Sequence, residues 1–507
     1  MPTVMQGVAQ ARPELPLSRF DFLETSDSAD LFAGTEMTND TYQIKGYGLV
    51  KPHTGIVQPP ASPRPERTVS GYRIAADLRD AIEAAQLRDG ATLSFHHHLR
   101  NGDTVMCQVL QTCRELGLSD LHIAPSSLFP CHGDLIPLLR DKTITRITTS
   151  YMNGPLADAV RAGALQNPAV LQTHGGRAHA IETGRLAIDA AFIGAPAADP
   201  EGNITGAIGP EACGPLGYAM VDAGYAAHVV AVTDHITGPL PRVCIPGSQI
   251  DQLVCINSIG NANQIVSGTT GRAPSERGRA IAELTVQLIA VSGLLQDGFN
   301  FQTGAGATSL AVAWALAPEM ARRGISGGFA AGGITGPLVK MFHEGLFAGL
   351  WDVQAFDLEA VASYRDDPDH RAMSASLYAS PARPEAVANQ LDVMILGAAE
   401  VDTEFNVNVT QASDGRIIGG SGGHADTAAG AKLPIVTTTL TAGGFAKIVK
   451  HLTCRTTPGT TIGAVVTEAG LAIHPSRPEL AARVRKAGLP IIQIEDLQRR
   501  AAKLCPP

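Results

Sequence analysis

From about residue 70 onward the chain is a succession of short apolar runs separated by turn residues. Leu78, Ala81, Ile82 and Ala85 fall on one face at helical spacing, and Asp89-Gly90 ends that segment. The runs ATLSF, LHIAP, TRITTS, AVLQTH, AIDAAFIGAP and HVVAVTDHI follow, then the segment PGSQIDQLVCI. Each has strand length and is parted from the next by a helical or turn segment, the order expected of βα units around a parallel sheet. RAIAELTVQLIAVSGLL is a strongly apolar helix, after which the pattern restarts with FNFQTGAGAT, GGFAAGGI, LDVMILGAA, IVTTT, TIGAVVTEAG and PIIQI. QIEDLQRRAAKLC reads as a closing surface helix.

The restart is a repeat. Asp189-x4-Gly194-Ala195-x3-Asp199-x3-Asn203 returns as Asp392-x4-Gly397-Ala398-x3-Asp402-x3-Asn406, displaced by 203 residues (189 to 392). LRDGATLSF, from Leu87, is echoed by LQDGFNFQT, from Leu295. A domain-sized period predicts two homologous α/β domains, each a mainly parallel sheet flanked by helices. Their expected bounds are 71–270 and 271–507, with the turn-rich GTTGRAPSER at about 268–277 between them. Residues 1–70 carry Pro13, Pro16, Pro52, Pro59, Pro60, Pro63 and Pro65 with little periodicity, and read as an extension, partly disordered or draped over the body or a partner. Ligands of open α/β sheets gather at the carboxyl ends of strands, so function is expected between the halves.

Composition narrows the class. With 44% hydrophobic and 17% charged residues the chain has ample core for a soluble globular protein. A net charge of −9 without a basic cluster argues against nucleic-acid binding. No apolar run is long enough to span a bilayer and no signal-peptide profile opens the chain, so no membrane association is expected and a cytoplasmic location follows by default. The eight cysteines show no CxxC spacing and read as free or buried thiols.

The candidate chemistry begins with Gly419-Gly420-Ser421-Gly422-Gly423-His424-Ala425-Asp426. Glycines at this density let backbone approach a ligand and let amides converge on an oxyanion or a phosphate; a plain turn between strands is the competing reading. GGSGGHAD after AAEVDTEFNVNV resembles the glycine loop of CoA-transferases. SFHHHLRNGD, SSLFPCHGDL, QTHGGRAH, CGPLGYAMVDA, DGFNFQTGAGATSLAV, GGITG, DVQAFD and EVDTEFNVNV are together similar to the α subunit of bacterial citrate lyase, from about residue 70 to the C-terminus.

That resemblance implies an exchange of acetyl for citrate on a thioester, releasing acetate and leaving a citryl thioester. It implies as partners a β subunit that cleaves the citryl thioester and an acyl carrier (γ) subunit bearing a dephospho-CoA-type arm, within an oligomeric assembly. CoA or the carrier thioester is then substrate, and no permanently bound cofactor or metal is expected. Gly420, Gly422 and Gly423 become the oxyanion or thioester loop, with Glu400, Asp402 and His424 around it. Where many CoA-transferases carry a nucleophilic Glu, Gly332-Gly333-Ile334-Thr335-Gly336-Pro337 has no carboxylate. This implies attack by citrate's own carboxylate through a mixed anhydride, with Glu400 as fallback nucleophile or structural acceptor. His97, Arg100 and Arg177 are candidates for the citrate carboxylates. Ser126, Ser127, Thr303, Gly304 and Gly306 stand after predicted strands, where acyl or pantetheine contacts fall. A metal at His96-His97-His98 is disfavoured, because neighbours on a strand alternate faces. The alternatives left open are transfer to citramalate or another dicarboxylate, a sugar-phosphate-isomerase-like or effector-binding protein on the same sheet architecture, and a scaffold subunit.

Overall fold

Two eight-stranded sheets with one strand order organise the chain, in a computed structural model. It describes residues 61–266, 274–304, 306–452 and 454–505, and before them only the backbone of a small antiparallel sheet, Met37–Thr38, Thr41–Ile44 and Gly48–Val50. Most of the expected extension and of the expected linker therefore lies outside the described residues. Residues 58–507 form one unit.

The first sheet contains β1 (Arg73–Ala75), β2 (Thr92–Ser94), β3 (Leu121–Ile123), β4 (Ile144–Thr149), β5 (Val170–Leu171), β6 (Ala190–Ala195), β7 (His228–Thr233) and β8 (Gln252–Cys255). Its order is β5-β4-β3-β2-β6-β7-β8-β1, parallel throughout. The second contains β9 (Asn300–Thr303), β10 (Gly327–Ile334), β11 (Phe347–Ala355), β12 (His370–Ala372), β13 (Val393–Gly397), β14 (Leu433–Thr437), β15 (Ala464–Thr467) and β16 (Gly470–Ile473). Its order is β12-β11-β10-β9-β13-β14-β15-β16. Strands β2 to β8 thus match β9 to β15 one for one. Only the far edge differs: β1 runs parallel to β8, whereas β16 runs antiparallel to β15. PIIQI, expected as a strand, makes a single bridge from Ile491 to Leu471, and the edge is GLAI instead.

The repeated residues hold these sheets together. Asp189 accepts the Thr92 amide at 2.7 Å and Asp392 accepts the Asn300 amide at 2.8 Å, so each ties the start of a central strand to its neighbour. Asp199 accepts the amides of Glu201 and Asn203 at 3.0 and 2.9 Å, and the Asn203 side chain in turn accepts from Gly247 at 2.9 Å. Asp402 repeats the arrangement with Glu404 and Asn406, both at 2.9 Å, and Asn406 with Gly459 at 2.9 Å. These are Asx-type turns in which a carboxylate replaces missing backbone partners. Central strands β6 and β13 are almost wholly apolar and buried, as parallel strands covered on both faces must be.

Flanking helices start where their sequences cap. Asp77 accepts the Asp80 amide to open helix Leu78–Ala84, and Ser275 accepts the Gly278 amide to open the apolar helix Glu276–Ser292. The end of the expected extension lies along the first half, with the amides of Arg64 and Arg67 on the carbonyls of Glu182 and Gly224, both at 2.9 Å.

Candidate active site

The carboxyl ends of β2, β3, β9, β10, β11 and β13 meet around a cavity of about 340 Å³ whose lining comes from both halves. Among the described residues no Asp, Glu or Lys lines it, and Arg100 is its single permanent charge.

β2 ends at Ser94, so His96, His97 and His98 stand in the loop beyond it rather than alternating along a strand. His96 turns into the core, with Nε2 3.0 Å from Asp222 Oδ2. The Ser126 hydroxyl accepts the His97 amide at 3.2 Å and lies 2.6 Å from His97 Nδ1. Ser126 thereby fixes the orientation of the His97 ring from behind. Burial, then the neighbouring His174, His98, Arg100 and His96, pushes His97 well below the ordinary histidine range. The ring is therefore neutral.

Arg100 opens a short turn, Arg100–Gly102, in the left-handed region at φ 53°, with its amide on the His97 carbonyl. Its guanidinium carbon lies 4.6 Å from the Phe356 ring centroid and 5.3 Å from that of Phe129. Arg100 is buried, Nε has no partner, and no carboxylate neutralises it among the described residues. A desolvated cation held by ring faces alone is a site for an anion.

His174 and Tyr218 complete the first-half wall, with ring centroids 4.5 Å apart. Burial, reinforced by Arg177, lowers His174 to about 3, so it too is neutral; its Nδ1 has no partner among the described residues.

The glycine loop comes from the second half and is sewn to the first. The Gly422 amide donates to the Ser150 carbonyl at 3.2 Å, and the Gly422 carbonyl accepts from the His174 amide at 2.8 Å. Asp426, on helix His424–Gly430, accepts the Gly175 amide at 2.9 Å. A Cβ at Gly420 would lie 2.3 Å from the Ser150 carbonyl oxygen, and one at Gly423 would lie 2.3 Å from the Tyr378 hydroxyl. Both positions therefore require glycine through close approach. The Ser421 and Gly423 amides have no acceptor among the described residues and are available to a ligand. His424 lines the cavity with both nitrogens engaged, Nδ1 at 2.8 Å from the Thr457 hydroxyl and Nε2 at 2.9 Å from the Gly397 carbonyl. Burial lowers it to about 4.

The cavity brings together His97, Arg100, Ser127, Thr303, Gly304, Gly306, Gly420, Gly422, Gly423 and His424 of the residues picked out by sequence. Ser126 stands behind His97 as its hydrogen-bond partner. Arg177 lies elsewhere: it is buried against Asp222, with Nη1 and Nη2 both at 3.0 Å from that carboxylate and Nη2 at 2.8 Å from the Ala124 carbonyl. Glu400 accepts from the Asn408 amide group at 3.0 Å and the Ser413 hydroxyl at 2.5 Å, and Asp402 is engaged in its turn; neither lines the cavity. Gly422 is in the lining, but its amide is taken by Ser150.

His174, Tyr218, Gln354 and Tyr378 were not picked out. The first three sit inside QTHGGRAH, CGPLGYAMVDA and DVQAFD, segments already singled out without a role for these side chains. Tyr378, in SASLYAS, had no such signal.

The family model for the citrate lyase alpha subunit (CitF) matches residues 71–506. The citrate lyase alpha chain of Escherichia coli K12 is 40% identical over 434 residues, 85% of each chain. That of Klebsiella pneumoniae is 38% identical over 469 residues, 92% of each. A Streptococcus mutans structure described as the citrate lyase alpha subunit in complex with citrate superposes with a TM-score of 0.85 at 39% identity, covering 89% of both chains. A Pseudomonas malonate decarboxylase hetero-tetramer shares the fold, with a TM-score of 0.61 at 17% identity, over 85% of this chain and 92% of that one.

Proposed function

The chain belongs to the citrate lyase alpha subunit family, the citrate CoA-transferase component of citrate lyase, and from that premise we propose how its cavity works. It exchanges the acetyl group of an acetyl thioester for citrate. A citrate carboxylate oxygen attacks the thioester carbonyl, the C–S bond breaks, and acetate is left joined to citrate as a mixed anhydride. The released thiolate then attacks the citryl carbonyl, the anhydride C–O bond breaks, and acetate departs with citryl thioester remaining. No net proton is consumed.

The observation that carries this reading is the cavity around the buried Arg100, which no carboxylate lines among the described residues. It supplies one strong cation for a carboxylate, supplemented by neutral polar groups such as the His97 imidazole. It offers no carboxylate to serve as nucleophile, which favours attack by the substrate's own. The unclaimed Ser421 and Gly423 amides belong to residues of the cavity lining, where an oxyanion can be received. The citrate bound by the Streptococcus mutans relative supports the same substrate here. CoA or a carrier-borne dephospho-CoA-type thioester is the second substrate, and a β subunit and an acyl carrier γ subunit are the partners of the complex.

Purified chain mixed with acetyl-CoA and citrate is expected to release acetate and form citryl-CoA in equal amounts, followed by mass spectrometry. Absence of citryl-CoA, with acetylated carrier protein also supplied, would refute the assignment.

A further inference from the structure

We propose that Tyr378 is a catalytic residue, donating its hydroxyl proton in a hydrogen bond to the oxyanion formed when the acyl thioester carbonyl is attacked. The inference rests on the transferase reading above and assigns to that site a donor besides the glycine-loop amides.

Tyr378 lies on the short helix Ala375–Ala379, opened by the Ser374 cap, and its side chain is buried in the cavity lining. Its hydroxyl accepts from Gln302 Nε2 at 2.7 Å. A phenol that accepts one hydrogen bond still has its own proton to give. No acceptor for that proton exists among the described residues, although the group is buried in a wall where such donors are normally satisfied. The same hydroxyl is the atom that a Cβ at Gly423 would meet at 2.3 Å. The unclaimed O–H is thus packed beside the loop residue whose amide is also unclaimed, on the wall of the same cavity.

Burial raises the Tyr378 phenol above its ordinary value, with the nearby Asp426 adding to the effect, so the group stays protonated and acts as donor only. Accepting from Gln302 polarises the O–H and strengthens it as a donor. In the ground state the thioester carbonyl is a weak acceptor; in the tetrahedral state its oxygen carries a full charge. The bond therefore favours the transition state over the substrate.

The test compares the full-length chain with Tyr378→Phe and Gln302→Glu in acetyl-CoA:citrate exchange. Tyr378→Phe keeps the ring and is expected to lower kcat roughly 10²-fold with KM for citrate and acetyl-CoA within about 3-fold. Gln302→Glu keeps a hydrogen bond but reverses it, drawing the phenol proton away from the cavity, and is expected to lower kcat in the same way. If Tyr378→Phe fails to fold, shown by its melting temperature, the Gln302→Glu result decides. Active wild type beside variants that retain kcat, or that lose kcat and KM together, overturns this proposal alone. Wild type that forms no citryl-CoA overturns the transferase reading and the proposal with it.

Discussion

Asp426 of the second half accepts the backbone amide of Gly175 of the first at 2.9 Å, and this bond fastens the helix that follows the glycine loop to the opposite wall of the cavity. Burial raises the Asp426 carboxyl to about 6, opposed by the Thr173 and Gly175 donors. Its unfolded value lies near 3.8, so between that value and about 6 the folded chain holds a proton that the unfolded chain has lost. This contribution to stability is complete below the unfolded pKa and is lost as pH rises through the folded one. Asp426→Asn keeps the acceptor and removes the titration. Denaturant unfolding at pH 4.5 and pH 7 is expected to show the variant gaining about 2 kcal/mol relative to wild type at the higher pH.

In the proposed reaction Arg100 holds a citrate carboxylate, so its removal is expected to weaken citrate selectively. Arg100→Ala leaves the aromatic faces of Phe129 and Phe356 without their cation. KM for citrate is expected to rise roughly 10- to 100-fold, the loss of one charged hydrogen-bonding partner, with KM for acetyl-CoA nearly unchanged. Arg100→Lys retains charge but loses the planar fork and is expected to recover only part of the affinity. Steady-state kinetics with each substrate varied in turn decides.

Arg177 is expected to behave in the opposite way. It is locked on Asp222, with Ser94 Oγ at 2.7 Å from Nη2. Burial alone would raise the Asp222 carboxyl, but Arg177 and His96 more than offset it and hold it well below the ordinary range. That stabilisation is present above the unfolded pKa and lost as pH falls towards the folded one. Arg177→Met strands a buried carboxylate and is expected to cost roughly 3–5 kcal/mol in unfolding free energy at pH 7. Whatever fraction stays folded should keep its citrate KM, the outcome that separates this residue from Arg100.

Gly420 tests the fit of the loop. A Cβ there meets a main-chain oxygen, the Ser150 carbonyl, which has no side-chain freedom to move aside. Gly420→Ala is expected to shift the loop and lower kcat by about 10²-fold, since a misplacement of about 1 Å carries that penalty. A Gly238→Ala control, outside the cavity lining, meets nothing within 4 Å and should be benign by comparison.

The duplication was legible because both copies need the same backbone repairs: Asp189 and Asp392 tie strand starts, while Asp199 and Asp402 build matching turns. The same legibility misdirected the site. Asp402 and Glu400 drew notice beside the glycine loop, yet a strand end shows which residues are near a site, not which way a carboxylate turns. Arg177 was misplaced for a related reason. It lies on helix His174–Glu182 at the cavity, but it faces Asp222, more than 40 residues further along the chain, which no local pattern announces. Tyr378 and Gln302 are 76 residues apart and become a pair only through folding.

Glu400 is the remaining carboxylate close in sequence to the loop, and its fate separates two mechanisms. Both its oxygens are engaged, one with Asn408 and one with Ser413, and it lies outside the cavity lining. A nucleophile that forms an enzyme-bound thioester must reach the acyl carbon, and this side chain would first have to surrender two buried hydrogen bonds. Glu400→Gln is therefore expected to retain exchange within a few-fold, with some loss of stability, on the order of 1–3 kcal/mol, from disturbing the buried network. Borohydride and hydroxylamine trapping of wild type during turnover is expected to leave Glu400 unmodified by peptide mass spectrometry. Abolished exchange in a folded Glu400→Gln variant, together with a trapped adduct at this position, would replace direct attack by citrate with a covalent enzyme intermediate.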